Sequence, residues 1–436
     1  MDQEIEVSPF FLCPISLQLM KDPVTVSTGI TYDRQSIEKW LFSSQNKTCP
    51  VTKQQLSHDD NNLIILTPNH NLRRHIQAWC TINTSYGIQR IPTPKPPTTK
   101  TLIEKHLKDA SSDSPHLLIQ SLRNLKTIAS ESETNRRCIE SAGAVEFLAS
   151  VVTKNNTCSS SSCSTTEFVL DDDDVEGFAF DFRVDAEDEA INILYNLHLT
   201  EQGLITLLNF KNGEFLDSLL RLMQKGNYDS RTYSVFLLKS MSKVADPSKL
   251  ASNLKTEFFV ELVQLLKDQI SKKASKATLQ TLIQLVEFGR NRIRAVESGC
   301  VTILIELLLD CKERKPCEMI LVLLEMLCQC ADGRLELLSH GCGLAIVSKK
   351  ILRVSILAND RAVRILLSVS RFSATHFVVQ EMLQIGVVAK LCLVLQVDSG
   401  NKAKEKAKEI LKLHANSWSN SHCIPFNLLA SYPTSG

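Results

Sequence analysis

The sequence predicts a mainly α-helical protein, in which a small α+β domain precedes a long solenoid of stacked helices. Two observations carry this prediction. Four prolines crowd the stretch 90-RIPTPKPPTTK-100 and separate two parts of different composition. Beyond them the chain is leucine-rich, and a motif of short helix, glycine and longer apolar helix recurs at intervals of about 42 to 45 residues.

Composition and charge argue against several classes of function. The 436 residues allow two or three domains. Lysine and arginine number 49 against 48 acidic residues, so whole-chain charge gives no support for nucleic-acid binding. The first residues, MDQEIEVS, are polar, and no apolar run reaches the roughly 18 residues of a membrane span. The 14 scattered cysteines read as reduced thiols, so we expect a cytoplasmic protein.

The N-terminal part, 1–80, combines turns with short apolar runs and is predicted to form the small domain. The segment 81–100 is predicted to be an extended linker, because its prolines cannot continue a regular helix or sheet. Residues 101–416 are predicted to form the helical array, and 417–436 a tail without clear periodicity. Within the array, a serine run and Asp171 to Asp174 predict a disordered loop over about 153–184.

The helical array is predicted from its glycines, which fall between a short and a longer helix at Gly143, Gly213, Gly299, Gly341 and Gly386. A helical period of about 40 to 47 residues is typical of armadillo or HEAT repeats. One helical hairpin cannot bury its apolar face alone, so neighbouring hairpins stack and share a core. Glycine allows the left-handed backbone that a sharp turn between helices needs. An irregular helical bundle is the alternative, which the regular spacing disfavours.

Metal binding is the first chemistry to test in the N-terminal part. Two places look like zinc knuckles, Cys13-Pro-Ile-Ser16 and Cys49-Pro-Val-Thr52, but each has a hydroxyl where a second thiolate is needed. A pair of zinc sites needs eight Cys or His ligands in paired spacings. Residues 10 to 80 offer six: Cys13, Cys49, Cys80, His58, His70 and His75. We therefore expect no metal.

Cys13 is the other chemical candidate in this part of the chain. It follows Phe10, Phe11 and Leu12 and precedes Pro14. A thiol in apolar surroundings has a raised pKa and is a poor nucleophile. We therefore expect Cys13 to be a core residue.

A helix is predicted in 33-DRQSIEKWLF-42, where Asp33 is a favourable N-cap residue. Ile37 and Leu41 lie four residues apart and form its core stripe, while Trp40 is one position off that stripe. Packing at the rim of the core and contact with a partner are both open interpretations of Trp40 from this pattern alone.

Three stretches together resemble a known family: 11-FLCPISLQLMKDPVTVSTGITYDRQSIEKWLF-42, 49-CPVTKQQL-56 and 63-LIILTPNHNLRRHIQAWC-80. They are similar to the U-box, a metal-free fold like the RING finger in which hydrogen bonds and salt bridges replace zinc. With the repeats behind it, the chain resembles the plant U-box armadillo-repeat ubiquitin ligases. The subgroup it resembles is linked with the restraint of immune and drought responses.

The resemblance implies roles for individual residues. Cys13 and Cys49 would be structural residues, with Cys13 a remnant of the knuckle that is now core. Ser16 and Thr52 would belong to polar networks that replace zinc, and Asp22, Asp33 and Arg34 would supply charged partners. The face that docks a ubiquitin-conjugating enzyme would comprise Ile15, Trp40 and Pro50, which favours partner contact for Trp40. Family members often have an arginine that positions ubiquitin three residues after that proline. This chain has Lys53, which lacks the planar fork of arginine.

The implied activity is that of a ligase without a covalent intermediate or cofactor. Its partners would be a conjugating enzyme charged with ubiquitin and protein substrates held by the repeats, with self-association as a further expectation. The ligase would raise the effective concentration of a substrate lysine near the thioester. Two other classes of function are a scaffold with an inactive U-box and a redox or metal sensor. Intact Ile15, Trp40 and Pro50 argue against the first, and the missing cysteine pairs against the second.

The substrate surface is less sharply defined by the sequence. Six basic residues fall in one region, Lys349, Lys350, Arg353, Arg361, Arg364 and Arg371. They suggest either a site for an acidic or phosphorylated partner or a solvated helix face, and the second is the commoner case. The run 402-KAKEKAKEILKLH-414 predicts an exposed basic helix that closes the array.

Overall fold

A computed structural model describes the chain over 7–43, 46–57, 64–91, 98–111, 114–154, 173–246, 250, 254–397 and 400–418. It confirms the predicted fold class, a small α+β domain followed by helical repeats. The four linker prolines, the residues 155–172 of the expected disordered loop and almost all of the predicted tail lie outside the described residues.

The N-terminal domain contains a small antiparallel sheet of order β2-β1-β3, with strands β1 (Pro23–Thr25), β2 (Thr31–Asp33) and β3 (Thr67–Pro68). Val24 pairs with both Tyr32 and Pro68. Helices α1 (Arg34–Glu38) and α2 (His70–Ile82) accompany this sheet. The core beneath them consists of buried side chains, among them Cys13, Met20, Val24, Tyr32, Ile37, Leu41, Cys49, Leu56, Ile76 and Cys80.

Helix α1 differs from its prediction in two respects. The α-helix ends at Glu38 and continues as a π-helical turn, Lys39–Ser43. Asp33 occupies the N-cap position, but its carboxylate makes no capping bond. It instead accepts the N–H groups of Lys21 and Asp22, at 2.8 and 3.0 Å. The Asp33 carboxylate therefore bonds to residues distant in sequence, in place of the N–H groups in the first turn of α1. Ile37 and Leu41 are buried as expected.

The rest of the described chain is helical. The bounds are α3 (Lys100–Ala110), α4 (Pro115–Glu131), α5 (Glu133–Ser141), α6 (Ala144–Thr153), α7 (Asp173–Asn196), α8 (Glu201–Asn209), α9 (Glu214–Lys225), α10 (Tyr228–Val244), α11 (Thr256–Asp268), α12 (Lys272–Leu285), α13 (Gly289–Glu297), α14 (Cys300–Asp310), α15 (Arg314–Leu327), α16 (Ala331–Ser339), α17 (Gly343–Lys350), α18 (Ile356–Phe372), α19 (His376–Gln384), α20 (Val387–Gln396), α21 (Asn401–Leu413) and α22 (Ala415–Trp418).

Over the described residues, no single helix is both long and apolar enough to cross a membrane. Two consecutive helices, α19 and α20, have the length and composition together, but they are bent by 65°.

The repeat glycines explain the sharp turns, with one exception. Gly143, Gly213, Gly299 and Gly386 have φ between 75° and 96°, the left-handed region that L side chains rarely adopt. Gly341 does not lie there. At this turn His340 is extended after the end of α16, so the chain reverses without a left-handed residue. The expectation of a left-handed glycine was therefore wrong at Gly341.

The longer helices of successive repeats pack side by side, and we call α10, α12, α15, α18 and α21 the ladder helices. Each is amphipathic; α18, for instance, buries Ile365, Leu366 and Val369. Helix α21, expected as an exposed basic helix, buries Ala403, Ala407, Ile410 and Leu411, so only part of it is solvated.

The segment predicted to be disordered is corrected at its C-terminal end. Helix α7 begins at Asp173 and so includes part of the expected loop. Aspartate is favourable in the first turn of a helix because the helix dipole presents positive charge there. By sequence alone the run Asp171 to Asp174 indicates disorder, whereas α7 begins within it, at Asp173.

The described chain forms two compact units. The first contains Met1–Phe147, Leu170–Glu189 and Asn196–His198, and the second contains the remaining residues up to Gly436. Within the first unit the N-terminal domain contacts α5 through Glu38, a residue only 3% exposed. The carboxylate of Glu38 accepts the hydroxyl of Thr134 at 2.7 Å and the N–H of Glu133 at 3.2 Å. Since the first N–H groups of a helix lack partners within it, Glu38 caps α5 from outside.

Candidate docking site in the N-terminal domain

Two turns of the N-terminal domain share one backbone geometry, and we call them the knuckle turns. In the first, the N–H of Cys13 donates to the carbonyl of Gln18, and the N–H of Leu17 donates back to Cys13, both at 2.8 Å. The second turn makes the same two bonds, at 2.8 and 2.9 Å, with Cys49, Gln54 and Lys53. The two Cys-Pro motifs of the sequence thus fold alike.

Each knuckle turn is completed by a residue of left-handed conformation. Leu17 has φ 57° and Lys53 has φ 59°. Non-glycine residues adopt this region at an energetic cost, and the surrounding hydrogen bonds hold them there. The turn therefore fixes the directions of the side chains at its tip.

The sulfur of Cys49 is the centre of a hydrogen-bonded group. The hydroxyl of Tyr32 lies 3.0 Å from it, and the hydroxyl of Thr28 donates to it at 3.3 Å. Burial raises the pKa of this thiol, but the hydrogen bonds from Thr28, Thr52 and Tyr32 lower the pKa to about 6. Hydrogen bonding to the charged form favours a thiolate. Protein donors thus surround this sulfur where a zinc knuckle would use metal.

Cys13 is buried as predicted, but its pKa is shifted in the opposite direction from the expectation. Burial raises the pKa, and hydrogen bonds from Ser16, Asp33 and Ile15 lower it below the ordinary value. The N–H of Asp33 lies 3.3 Å from Sγ. The apolar neighbours in sequence did not indicate these donors. Cys80 lies in the same core without a knuckle turn, and burial raises its pKa.

A charged network joins the sheet to both helices of the domain. The guanidinium of Arg34 donates to Asp22 at 2.6 Å, and Arg73 on α2 pairs with the other oxygen of Asp22. Asp33 accepts two backbone N–H groups beside them. All four side chains are at least partly shielded from solvent, and such networks stabilise when their members are paired. The residues that the resemblance implied as charged partners thus lie together.

Trp40 lies on the π-helical turn, next to the second knuckle turn. It is half-buried, and its Nε1–H donates to the carbonyl of Thr48 at 3.0 Å. The ammonium group of Lys53 lies 5.6 Å from its ring centroid, within cation–π range. One part of the ring packs on the core, while the remainder is accessible.

The tips of the knuckle turns present apolar side chains to solvent. Ile15 and Pro50 are half-buried, whereas Leu17 is 74% exposed and Val51 is 54% exposed. Exposed apolar residues held in fixed positions are typical of protein-binding surfaces. The sulfurs of Cys13 and Cys49 are wholly buried behind them. This surface is therefore suited to bind a partner.

Over the part of the chain that the structure describes, no group of three or more His, Cys, Asp or Glu side chains is arranged to hold a metal ion.

Several residues of this site were missed by sequence reasoning. Leu17 stands four positions after Cys13, as Lys53 stands four after Cys49, so aligning the two motifs would have found it. Val51 corresponds to Ile15 in the same way. Tyr32 and Arg73 gave no comparable signal, because each acts on a residue distant in sequence.

Most side chains of the basic cluster of the repeats have a partner within the fold. Arg361, Arg364 and Arg371 pair with Glu325, Asp360 and Glu409. The ammonium group of buried Lys350 donates to the carbonyl of Cys311 at 2.8 Å. Most of the cluster is therefore engaged within the fold.

Two family models match the chain. The model of the U-box domain matches residues 7–85, and that of the plant U-box protein ARM repeat region matches residues 102–434.

Curated proteins of similar sequence match over nearly the full length. E3 ubiquitin-protein ligase PUB22 of Arabidopsis thaliana is 54% identical, over 99% of this chain and 100% of its own. E3 ubiquitin-protein ligase PUB23 of the same plant is 52% identical, over 99% and 98%.

A similar solved structure is described as "A conserved phosphorylation switch controls the interaction between cadherin and beta-catenin in vitro and in vivo". It has a TM-score of 0.55 at 13% identity and covers 79% of this chain and 59% of its own. At this identity the likeness bears on the fold of the repeats alone.

Proposed function

Since this chain belongs to the plant U-box armadillo-repeat family and is an E3 ubiquitin-protein ligase of the U-box class, we propose that its knuckle turns dock a ubiquitin-conjugating enzyme while its repeats recruit the substrate. The observation that carries the docking proposal is the exposed apolar surface of the two turns, with Trp40 beside the second.

The docking surface comprises Ile15, Trp40 and Pro50, to which the geometry adds Leu17 and Val51. An aromatic or aliphatic anchor that enters a partner's pocket commonly dominates the binding energy of such an interface. The charged network and the buried thiols fix the turns that carry these anchors. The domain thus provides a pre-organised surface, which lowers the ordering cost of docking.

The proposed catalysis works by proximity and orientation. The conjugating enzyme carries ubiquitin as a thioester, and the substrate lysine attacks that thioester directly. Because the ligase binds the conjugating enzyme and the substrate at the same time, the effective concentration of the substrate lysine near the thioester rises. The buried positions of Cys13 and Cys49 support transfer without a covalent ubiquitin intermediate on this chain. Lys53 stands where the family resemblance implies a residue that positions ubiquitin, and its exposed ammonium group can donate hydrogen bonds.

The docking surface is tested by ubiquitin discharge from a charged conjugating enzyme to free lysine. Trp40→Ala and Leu17→Ala should each reduce discharge, by roughly thirtyfold if the side chain contributes about 2 kcal/mol as a typical binding anchor. Trp40→Ala is also expected to destabilise the domain, because Trp40 donates to Thr48 and packs on the core. Leu17→Ala removes an exposed side chain, so its effect reports binding.

The control is Ile82→Ala at the end of α2, which removes an apolar side chain that is 78% exposed. It should discharge ubiquitin at the rate of the unaltered protein. Equal discharge by Leu17→Ala and the unaltered protein would remove the first knuckle turn from the docking surface. If the unaltered protein accelerates no discharge, the alternative of a scaffold with an inactive U-box takes its place.

We further propose, on the family resemblance of the sequence, that the ligase acts in the cytoplasm, that it restrains immune and drought responses and that it self-associates. A fluorescent fusion, a loss-of-function plant and light scattering of the purified protein test these three points.

A further inference from the structure

A stack of aromatic rings lies where α7 meets α10. The ring of Tyr195 lies 5.0 Å from that of Tyr233 and 5.1 Å from that of Phe236, at interplanar angles of 24° and 23°. All three side chains are half-buried. Part of each side chain is therefore accessible to solvent.

Three lysines lie next to the stack on the ladder helices. On α10, Lys239 follows Phe236 by three residues and Lys243 follows Lys239 by four, so all three share one face of the helix. Lys276 on the adjacent α12 lies within electrostatic range of Lys239. Burial and the charges of Lys243 and Lys276 lower the pKa of Lys239. We call the three rings and three lysines the lysine–aromatic patch.

No acidic side chain neutralises this patch within the part of the chain that the structure describes. None of Lys239, Lys243 and Lys276 forms a salt bridge there. Other basic residues of the ladder are paired, as Arg361 is with Glu325 and Lys406 is with Asp360. Like charges held together without a counter-charge repel one another, so an anionic partner would be stabilised there.

We propose that the lysine–aromatic patch binds an acidic, aromatic-containing segment of the protein substrate. This inference rests on the proposed recruitment of substrates by the repeats and names the chemistry that they recognise. Carboxylates of the segment would pair with the lysines, and its aromatic side chain would pack against the accessible part of Phe236 beside them.

Single-stranded nucleic acid uses cations and aromatic rings as well, so it is the competing occupant. The cationic surface would then have to continue along the ladder. On the next ladder helix, α15, Glu318 and Glu325 each pair with an arginine, so charges of both signs are neutralised there. The formal net charge of the chain is only +1. Three lysines beside one aromatic cluster therefore fit a short acidic peptide better than a nucleic-acid strand.

The experiment measures fluorescence anisotropy of full-length protein with a labelled peptide in which pairs of aspartates alternate with phenylalanines. Binding should weaken as salt rises, because exposed charges are screened. The double variant Lys239→Glu/Lys276→Glu should weaken binding tenfold or more, since like charges then face each other. Phe236→Ala should weaken binding of this peptide but have little effect on one with serines in place of the phenylalanines.

The matched control is Lys267→Glu, the same charge reversal on an exposed residue of α11, which should bind the peptide normally. Absence of peptide binding by the unaltered protein, equal binding by the double variant, or tighter binding of a single-stranded oligonucleotide would each overturn the proposal. Discharge of ubiquitin to free lysine is measured in parallel and should be unchanged in every variant. If the unaltered protein does not accelerate ubiquitin discharge, that result would instead contradict the proposed ligase mechanism.

Discussion

The thiol of Cys49 is wholly buried, yet its surroundings favour the charged form. Apolar burial usually makes a cysteine harder to ionise, as it does for Cys300 on α14, whose pKa rises to about 12. The difference is that Thr28, Thr52 and Tyr32 all bond to the sulfur of Cys49. The stability of the U-box should therefore depend on pH through this residue.

The sign follows from the two states of the protein. The thiol titrates near 9.0 when unperturbed and at about 6 in the folded chain. Its contribution to the free energy of unfolding is therefore complete above about pH 9 and is lost as pH falls through about 6. We expect the U-box amides to become less protected against hydrogen exchange, corrected for the intrinsic rate, as the pH is lowered from about 9 to about 6.

Cys49→Ala should remove most of this pH dependence. The comparison variant is Cys80→Ala, which deletes another buried thiol whose pKa is raised, and it should retain the dependence. If the profiles of Cys49→Ala and the unaltered protein coincide, Cys49 is not the titrating group.

At the scale of single elements, the glycines in the turns between repeat helices differ in backbone conformation. Gly299 has φ 76° and Gly341 does not have a positive φ, although the sequence presents them as equivalent. A Cβ added at either position meets no heavy atom within 4 Å. Backbone conformation alone therefore distinguishes them.

Gly299→Ala should destabilise its unit by about 1–2 kcal/mol, because alanine in the left-handed region places its Cβ against the following carbonyl. Gly341→Ala should leave stability unchanged or raise it slightly, since alanine reduces the freedom of the unfolded chain. Urea unfolding followed by circular dichroism measures both. Equal destabilisation by the two substitutions would contradict the structural distinction between them.

Elements were predicted well where the cause is local. The glycine period predicted the repeats, and the apolar spacing of Ile37 and Leu41 predicted which side of α1 is buried. Local patterns misled where a distant residue competes, as at Asp33, whose carboxylate bonds to Lys21 and Asp22 in place of its own helix. The roles of Tyr32 and Arg73 depend on contacts across the domain, and spacing in the sequence contains no information about these.

At the scale of the whole molecule, the domain boundary expected at 81–100 remains a prediction, but the contact of Glu38 with α5 bears on it. The carboxylate is buried, which raises its pKa; the bonds from the Thr134 hydroxyl and the Glu133 N–H, and the nearby charge of Arg34, partly offset that effect. The U-box and the first repeat helices are therefore joined by more than a covalent linker.

Glu38→Ala should leave the hydroxyl of Thr134 and the N–H of Glu133 without a partner, a cost of about 1–3 kcal/mol for a buried group. Hydrogen exchange in the first turn of α5 should accelerate accordingly. The control Gln35→Ala, an exposed position on the same helix, should leave α5 unchanged. Unaltered exchange at Glu133 and Thr134 in Glu38→Ala would show that the contact does not stabilise α5.

The same contact bears on how ligases of this kind can be recombined. A U-box joined to a foreign repeat array would carry the buried Glu38 without its partners on α5, and the array left behind would lose the bonds that Glu133 and Thr134 donate to Glu38. A crossover within the proline stretch separates these partners, whereas one placed after α5 transfers both together. Recombination between such ligases, in evolution or in designed chimeras, should therefore favour a junction after α5. The segment that can be exchanged as a unit is then longer than the U-box itself.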